Sequence, residues 1–196
     1  MSGVHVHSAG AAQRVKTLVA ALEAADVLTE RRLDEVVESF LTHAQPANGA
    51  RIVARAWVDP AFRARLLADG NAAAAEVGID LSHWAPVKLR VVANAARTHN
   101  LIVCTLCSCY PLALLGPSPS WYKSDAYRSR AVRDPRGVLA EFGTRLAPNV
   151  EITVWDSTAE VRYLVLPERP TQTAGASEEE LCALVTRNGL IGTALV

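Results

Sequence analysis

The chain has 196 residues, half of them hydrophobic and a fifth charged, with 20 basic and 20 acidic side chains that cancel. That length and composition suit one sizeable soluble core, or a core plus an extended arm, and the neutral balance argues against a nucleic acid partner. No apolar run approaches the roughly 20 residues of a membrane span, and the opening MSGVHVHSAG shows neither a basic nor an apolar signal region, so a cytoplasmic chain with reduced thiols is expected.

The first half reads as helices. Val15, Leu18, Val19 and Leu22 recur at helical spacing, and a second helix from about Thr29 sets Leu33, Val36, Val37, Phe40 and Leu41 on one face. HAQPANGA (43–50) is expected to be a loop, broken by Pro46 and Gly49. In WVDPAFRARLLADG, Asp59 suits an N-cap and Pro60 the first helical position, with Gly70 and Gly78 as helix-ending residues; the alanine run 72–75 also suits a helix. The apolar faces of the first two helices have no evident partner in so short a segment. They either pack on their own domain or form an arm that wraps a second chain.

Beyond residue 86 the texture alternates. VKLRVVAN (87–94), LIVC (101–104), EITVWD (151–156) and EVRYLVLP (160–167) read as strands, and the short link between the last two predicts a hairpin. DPRGVLAEFG predicts a short helix with Asp134 as cap, Pro135 at its first position and Gly143 as its stop. Ser177 and Glu180 form a capping-box pattern ahead of a last helix, on which Cys182 is expected as a buried structural thiol. The expected fold is α+β: an N-terminal helical arm (1–48), then a mixed layered α/β domain (49–196) with a cysteine loop at a strand end.

Three of the four cysteines, Cys104, Cys107 and Cys109, lie within VCTLCSCY (103–110). Spacing alone is compatible with zinc, another transition metal or dithiol redox chemistry. His99 offers a fourth ligand or is an ordinary loop side chain. The C-S-C segment favours something other than tetrahedral zinc. If the amide nitrogens of Ser108 and Cys109 lose their protons, three sulfurs and two nitrogens fill five of six octahedral positions, which suits a trivalent low-spin metal with one open site. Thiolates so placed are candidates for oxidation to sulfenate and sulfinate.

VCTLCSCYP (103–111) resembles the metal loop of nitrile hydratase α subunits. The similarity continues through AWVDPAFRARLLADG (56–70), SWYKSDAYRSR (120–130), DPRGVLAEFG (134–143), VWDSTAEVRYLVLPERP (154–170) and LVTRNGLIG (184–192). The resemblance implies addition of water to a nitrile to give an amide, at a non-corrin cobalt(III) or a non-haem iron(III) centre. It implies Cys104 as the axial thiolate, Cys107 as a sulfinate, Cys109 as a sulfenate, and Ser108 and Cys109 as amide-nitrogen ligands. Cys107, Ser108 and Cys109 are thereby also the catalytic residues. Thr105 stands where the family's cobalt type has threonine and its iron type serine, so cobalt(III) is expected. Asp156, Glu160 and Arg162 match an acid-and-arginine set around the centre.

The resemblance further implies a β-type partner subunit, embraced by the N-terminal arm, and a metallochaperone or activator. One departure concerns the substrate pocket. Where relatives carry Trp-Pro after Tyr-Pro, this chain has Leu112 and Ala113, which opens room for a bulkier nitrile, such as one on a heteroaromatic nucleoside like toyocamycin. VVANAARTHN also lacks an acidic residue common there in relatives. The alternatives are the related metal-bearing γ subunit of thiocyanate hydrolase, a metal carrier or assembly subunit without turnover, and a plain zinc module.

Overall fold

A computed structural model describes residues 5–81, 87–107 and 109–196. Ser108, expected as a ligand, and the side chain of Phe40 lie outside the described residues. The chain divides into two compact units, residues 1–43 and 44–196.

The first unit holds α1 (His5–Ala24) and α2 (Glu30–His43), the latter opened by Thr29, whose hydroxyl accepts from the amide of Arg32 at 3.2 Å. Both helices were anticipated, and large parts of their apolar faces are exposed: Val15, Leu18, Val36, Val37 and Leu41 are each more than half accessible. Among the described residues no helix is long and apolar enough to cross a membrane.

The second unit begins with α3 (Pro46–Val58), which starts inside the stretch expected to be loop. Pro46 takes a first-turn position, where its missing N–H has no intrahelical partner to lose. Gly49 is an interior contact residue instead of a breaker. A Cβ there would lie 2.8 Å from both the Leu114 carbonyl oxygen and Leu190 Cδ1, so only glycine lets α3 approach this closely. Ile52, Val53 and Ala56 complete the buried stripe.

Asp59 ends α3 and caps α4 (Pro60–Ala68), accepting from Ala61 and Phe62 amides at 2.9 Å, as its place before a proline predicts. Asp69 repeats the device for α5 (Gly70–Glu76), so Gly70 opens a helix and does not close one. Gly78 does stand beyond a helix end, with positive φ.

Four strands follow: β1 (Lys88–Ala93), β2 (Thr98–Val103), β3 (Glu151–Asp156) and β4 (Val161–Leu166). The predicted β3–β4 hairpin does not form. β3 pairs parallel to β2, with Val103 opposite Asp156, and β4 pairs parallel to β1, with Leu89 opposite Arg162. The four-residue link is short enough for a hairpin, but its ends are drawn to different strands. The Ser157 amide donates to Val103 O at 2.8 Å, and the Lys88 amide donates to Glu160 O at 2.8 Å. Link length alone could not reveal that competition.

Between β2 and β3 lie α6 (Leu112–Leu115), a 3₁₀ turn at Ser120–Lys123, α7 (Asp125–Arg133) and α8 (Pro135–Glu141). Asp134 caps α8 through the Gly137 amide at 2.9 Å, and Gly143 beyond it has positive φ, both as expected. The chain closes with α9 (Glu178–Leu184), opened by the anticipated Ser177–Glu180 capping box, and α10 (Arg187–Ile191).

On α9 the buried position belongs to Leu181. Cys182, expected to be buried, is half-buried, because a short helix lying on the core turns only one stripe inward. Gly192 ends α10 at φ 91°, where a Cβ would fall 2.0 Å from Asn100 O, so the C-terminal segment crosses β2 only with glycine there.

Candidate metal centre

Cys104 follows the last residue of β2 and is wholly buried, so the strand delivers its sulfur to a fixed place. The chain then turns through an exposed loop. Cys107 Sγ lies 3.4 Å from Cys104 Sγ and 3.0 Å from Cys109 Sγ, and the Cys107 amide donates to Cys104 Sγ at 3.4 Å. All three sulfurs fall within 4.8 Å of one another, with Cys104 buried, Cys107 exposed and Cys109 between. Soft sulfur donors so gathered suit a transition metal, and a second face of the loop is open to solvent.

Several groups hold this loop from below. The parallel register sets Asp156 opposite Val103, and its carboxylate reaches forward to Thr105, accepting from the amide at 2.9 Å and from the hydroxyl. Tyr122, fully buried in the 3₁₀ turn, donates its hydroxyl to Cys109 O at 3.0 Å. Burial pushes the Tyr122 phenol well above its ordinary range, so it stays a neutral donor. Tyr127 on α7 donates to Ile102 O at 2.6 Å, which ties the end of β2 to the same aromatic cluster of Trp121, Tyr122 and Phe142. Arg128, one residue further on, donates from its guanidinium to Cys107 O at 3.1 Å.

Tyr122, Tyr127 and Arg128 belong to the SWYKSDAYRSR block (120–130), and no role was expected of them from the sequence. The available signal was the density of aromatic and cationic side chains a short distance after the cysteines.

The structure separates the three residues expected around the centre. Asp156 grips the loop directly. Arg162, early in β4, donates to Thr158 O, and its positive charge pulls the Cys109 thiol downward. Burial outweighs that pull, with the Cys107 hydrogen bond adding to it, and the Cys109 thiol is pushed up to about 12. Metal binding there must displace a proton from the thiol. Glu160 accepts from the Thr158 hydroxyl at 2.9 Å, within its own turn.

Leu112 opens α6, directly after the cysteine loop. With Leu81, Val87, Leu89, Tyr110 and Arg162 it lines a cavity of about 110 Å³. His99 is neither a ligand nor a loop residue. It sits in β2, 2 % exposed, with Nε2 donating to Gly192 O at 2.7 Å and Nδ1 facing the Asn94 amide at 3.3 Å. Five residues of strand, roughly 16 Å, separate it from Cys104.

A mixed helix-and-strand domain that presents a cysteine triad at the end of a parallel strand is, by class, a thiolate site fit for a transition metal. Comparison with known proteins supplies the family: residues 9–194 match "Nitrile hydratase, alpha chain", and the chain belongs to that family. It is 49 % identical over 184 residues to the low-molecular weight cobalt-containing nitrile hydratase subunit alpha of Rhodococcus rhodochrous, covering 94 % of this chain and 88 % of the relative. It is 45 % identical over 159 residues to the thiocyanate hydrolase subunit gamma of Thiobacillus thioparus, covering 76 % of this chain and 65 % of that one. Among solved structures, a double mutant of the Fe-type nitrile hydratase from Comamonas testosteroni Ni1 superposes with a TM-score of 0.87 at 39 % identity, covering 95 % of this chain and 90 % of that chain.

Proposed function

We propose that this chain is the metal-bearing subunit of a nitrile-hydrating enzyme, with cobalt held by Cys104, Cys107 and Cys109 and by the amide nitrogens of Ser108 and Cys109. The observation that carries the reading is the convergence of three sulfurs at the end of β2. The similarity to cobalt-containing relatives supports cobalt over iron. When bound, a trivalent metal supplies Lewis acidity toward a nitrile or water.

The chain's own residues do the rest. Asp156 and Tyr122 keep the loop in one conformation, so little reorganisation is left for the reaction. Arg162 sets a positive charge beside Cys109, which works against the burial that otherwise holds its thiol protonated. In this reading Cys107 is carried as sulfinate and Cys109 as sulfenate, whose oxygen either attacks the nitrile carbon itself or takes the proton of the water that does. The apolar cavity at Leu112 receives the nitrile's substituent and excludes water from it.

The exposed apolar residues of α1 and α2 fit an arm that embraces a β-type partner subunit. A metallochaperone or activator loads the metal, and the assembly works in the cytoplasm. A well-behaved monomer that ignores the partner in size-exclusion chromatography overturns the arm.

Metal analysis with intact mass, on the chain purified with its partner, tests the centre. One cobalt per chain with about three added oxygens is expected, and zinc or no metal sinks the reading. Parallel nitrile and thiocyanate assays separate it from the thiocyanate hydrolase alternative, which the similarity to that subunit gamma keeps in play. Leu112→Trp fills the cavity and is expected to lower kcat/KM for bulky heteroaromatic nitriles by roughly 10-fold, with little effect on small ones. Equal effects on both would remove Leu112 as a determinant of substrate size.

A further inference from the structure

We infer that Arg128 is a positioning residue for the metal loop, holding the Cys107 corner where its sulfur can share a metal with Cys104 and Cys109. The inference rests on the reading of the three cysteines as a metal site.

Cys107 is the member of the triad that most needs holding. Cys104 is buried at the end of a strand, and the Cys109 carbonyl is gripped by Tyr122. Cys107 is exposed, yet its sulfur is the central one, 3.4 Å from one neighbour and 3.0 Å from the other. A rotation of this one corner therefore opens both contacts at once.

Arg128 meets that corner from α7. One guanidinium nitrogen donates to Cys107 O at 3.1 Å, and another pairs with Asp125 one turn earlier. The planar fork can serve both acceptors together, which a single ammonium cannot do with the same geometry. The third donor is informative. Nε–H of Arg128 is enclosed and meets no acceptor among the described residues. Leaving a donor of a charged group unsatisfied costs free energy, and swinging the side chain into solvent would satisfy it. The arginine is instead held inward, in the pose that grips Cys107, with only 22 % of its side chain exposed. Asp125, by contrast, is 93 % exposed and steadies the fork from outside.

The test uses the chain complexed with its β-type partner, freed of metal and titrated with cobalt(II), followed by sulfur-to-cobalt absorption. The wild-type complex must first take up cobalt; if it does not, the metal reading itself falls. Given uptake, Arg128→Ala is expected to weaken cobalt binding by roughly 10- to 100-fold and to move the absorption band, while circular dichroism and partner binding stay as in the wild type. Arg128→Lys, which keeps a donor for Cys107 O but gives up the fork to Asp125, recovers part of the loss. It also serves as the reporter if the alanine variant does not fold. A variant set that titrates like the wild type, with an unmoved band, overturns the inference. So does a lysine variant that binds cobalt no better than alanine although both fold.

Discussion

Helix α2 presents Leu33, Val36, Val37 and Leu41 on one face, and α3 presents Ile52, Val53 and Ala56 on one of its own, with the same helical spacing. Yet Val36 and Val37 are 61 % and 55 % exposed, while Ile52 and Val53 are 0 % exposed. Periodicity states that a helix has a face to bury; it does not say against what. α3 finds α6, α9 and α10 within its own unit, and Gly49 lets it sit against them. The apolar face of α2 is left exposed. The comparison divides the molecule into a unit with its own buried core and a pair of helices whose apolar residues lie largely at the surface.

The largest effect that could break this division lies on α3. Ile52→Ala is expected to cost about 2–5 kcal/mol, by lost burial plus the cavity left behind, read as a lower denaturant midpoint for the chain alone. A loss below 1 kcal/mol would mean that α3 is not the keystone of its unit. Gly49→Ala comes next, at about 1–3 kcal/mol, since the new methyl meets the Leu114 carbonyl and Leu190 at 2.8 Å.

His99 tests the core through pH. Its two ring bonds require the neutral form, with Nε2 donating to Gly192 O and Nδ1 accepting from Asn94. Burial lowers its pKa below the ordinary 6.5, so the folded chain binds this proton less readily than the unfolded one. Its contribution is therefore complete above about pH 6.5 and declines as pH falls toward the folded value, at no more than about 1.4 kcal/mol per pH unit. Denaturant unfolding at several pH values should show His99→Gln losing less stability on acidification than the wild type. Parallel curves would place the acid sensitivity elsewhere.

The smallest effect completes the contrast. Val36→Ala with Val37→Ala should change the isolated chain's stability by only about 0.5 kcal/mol, yet weaken retention of the partner. A large loss in the isolated chain would show that α2 is packed in solution after all.

Much of this was written locally. Asp59, Asp134 and the Ser177–Glu180 pair announced their helices, because a cap acts on amides two or three residues away. The cysteine triad was visible for the same reason, being three donors within six residues. Long-range partners were not legible. The hairpin expected of β3 and β4 gave way to two parallel pairs, His99 moved from loop to buried strand, and Gly49 from breaker to contact. Each depended on a segment far away in the chain.

The sequence by itself determined which residues gather sulfur at one loop, where α2, α4, α8 and α9 start, and which family the chain resembles, since all three are properties of short stretches and their order. The tertiary structure decided how that loop is held: it gave Asp156, which the resemblance had named, its grip on Thr105, and it brought in Tyr122 and Arg128, which had no expected role. Asp156, Tyr122 and Arg128 reach it from three different elements, 51, 13 and 21 residues from the groups they bind. Their roles follow from strand register and helix placement, which no local pattern encodes.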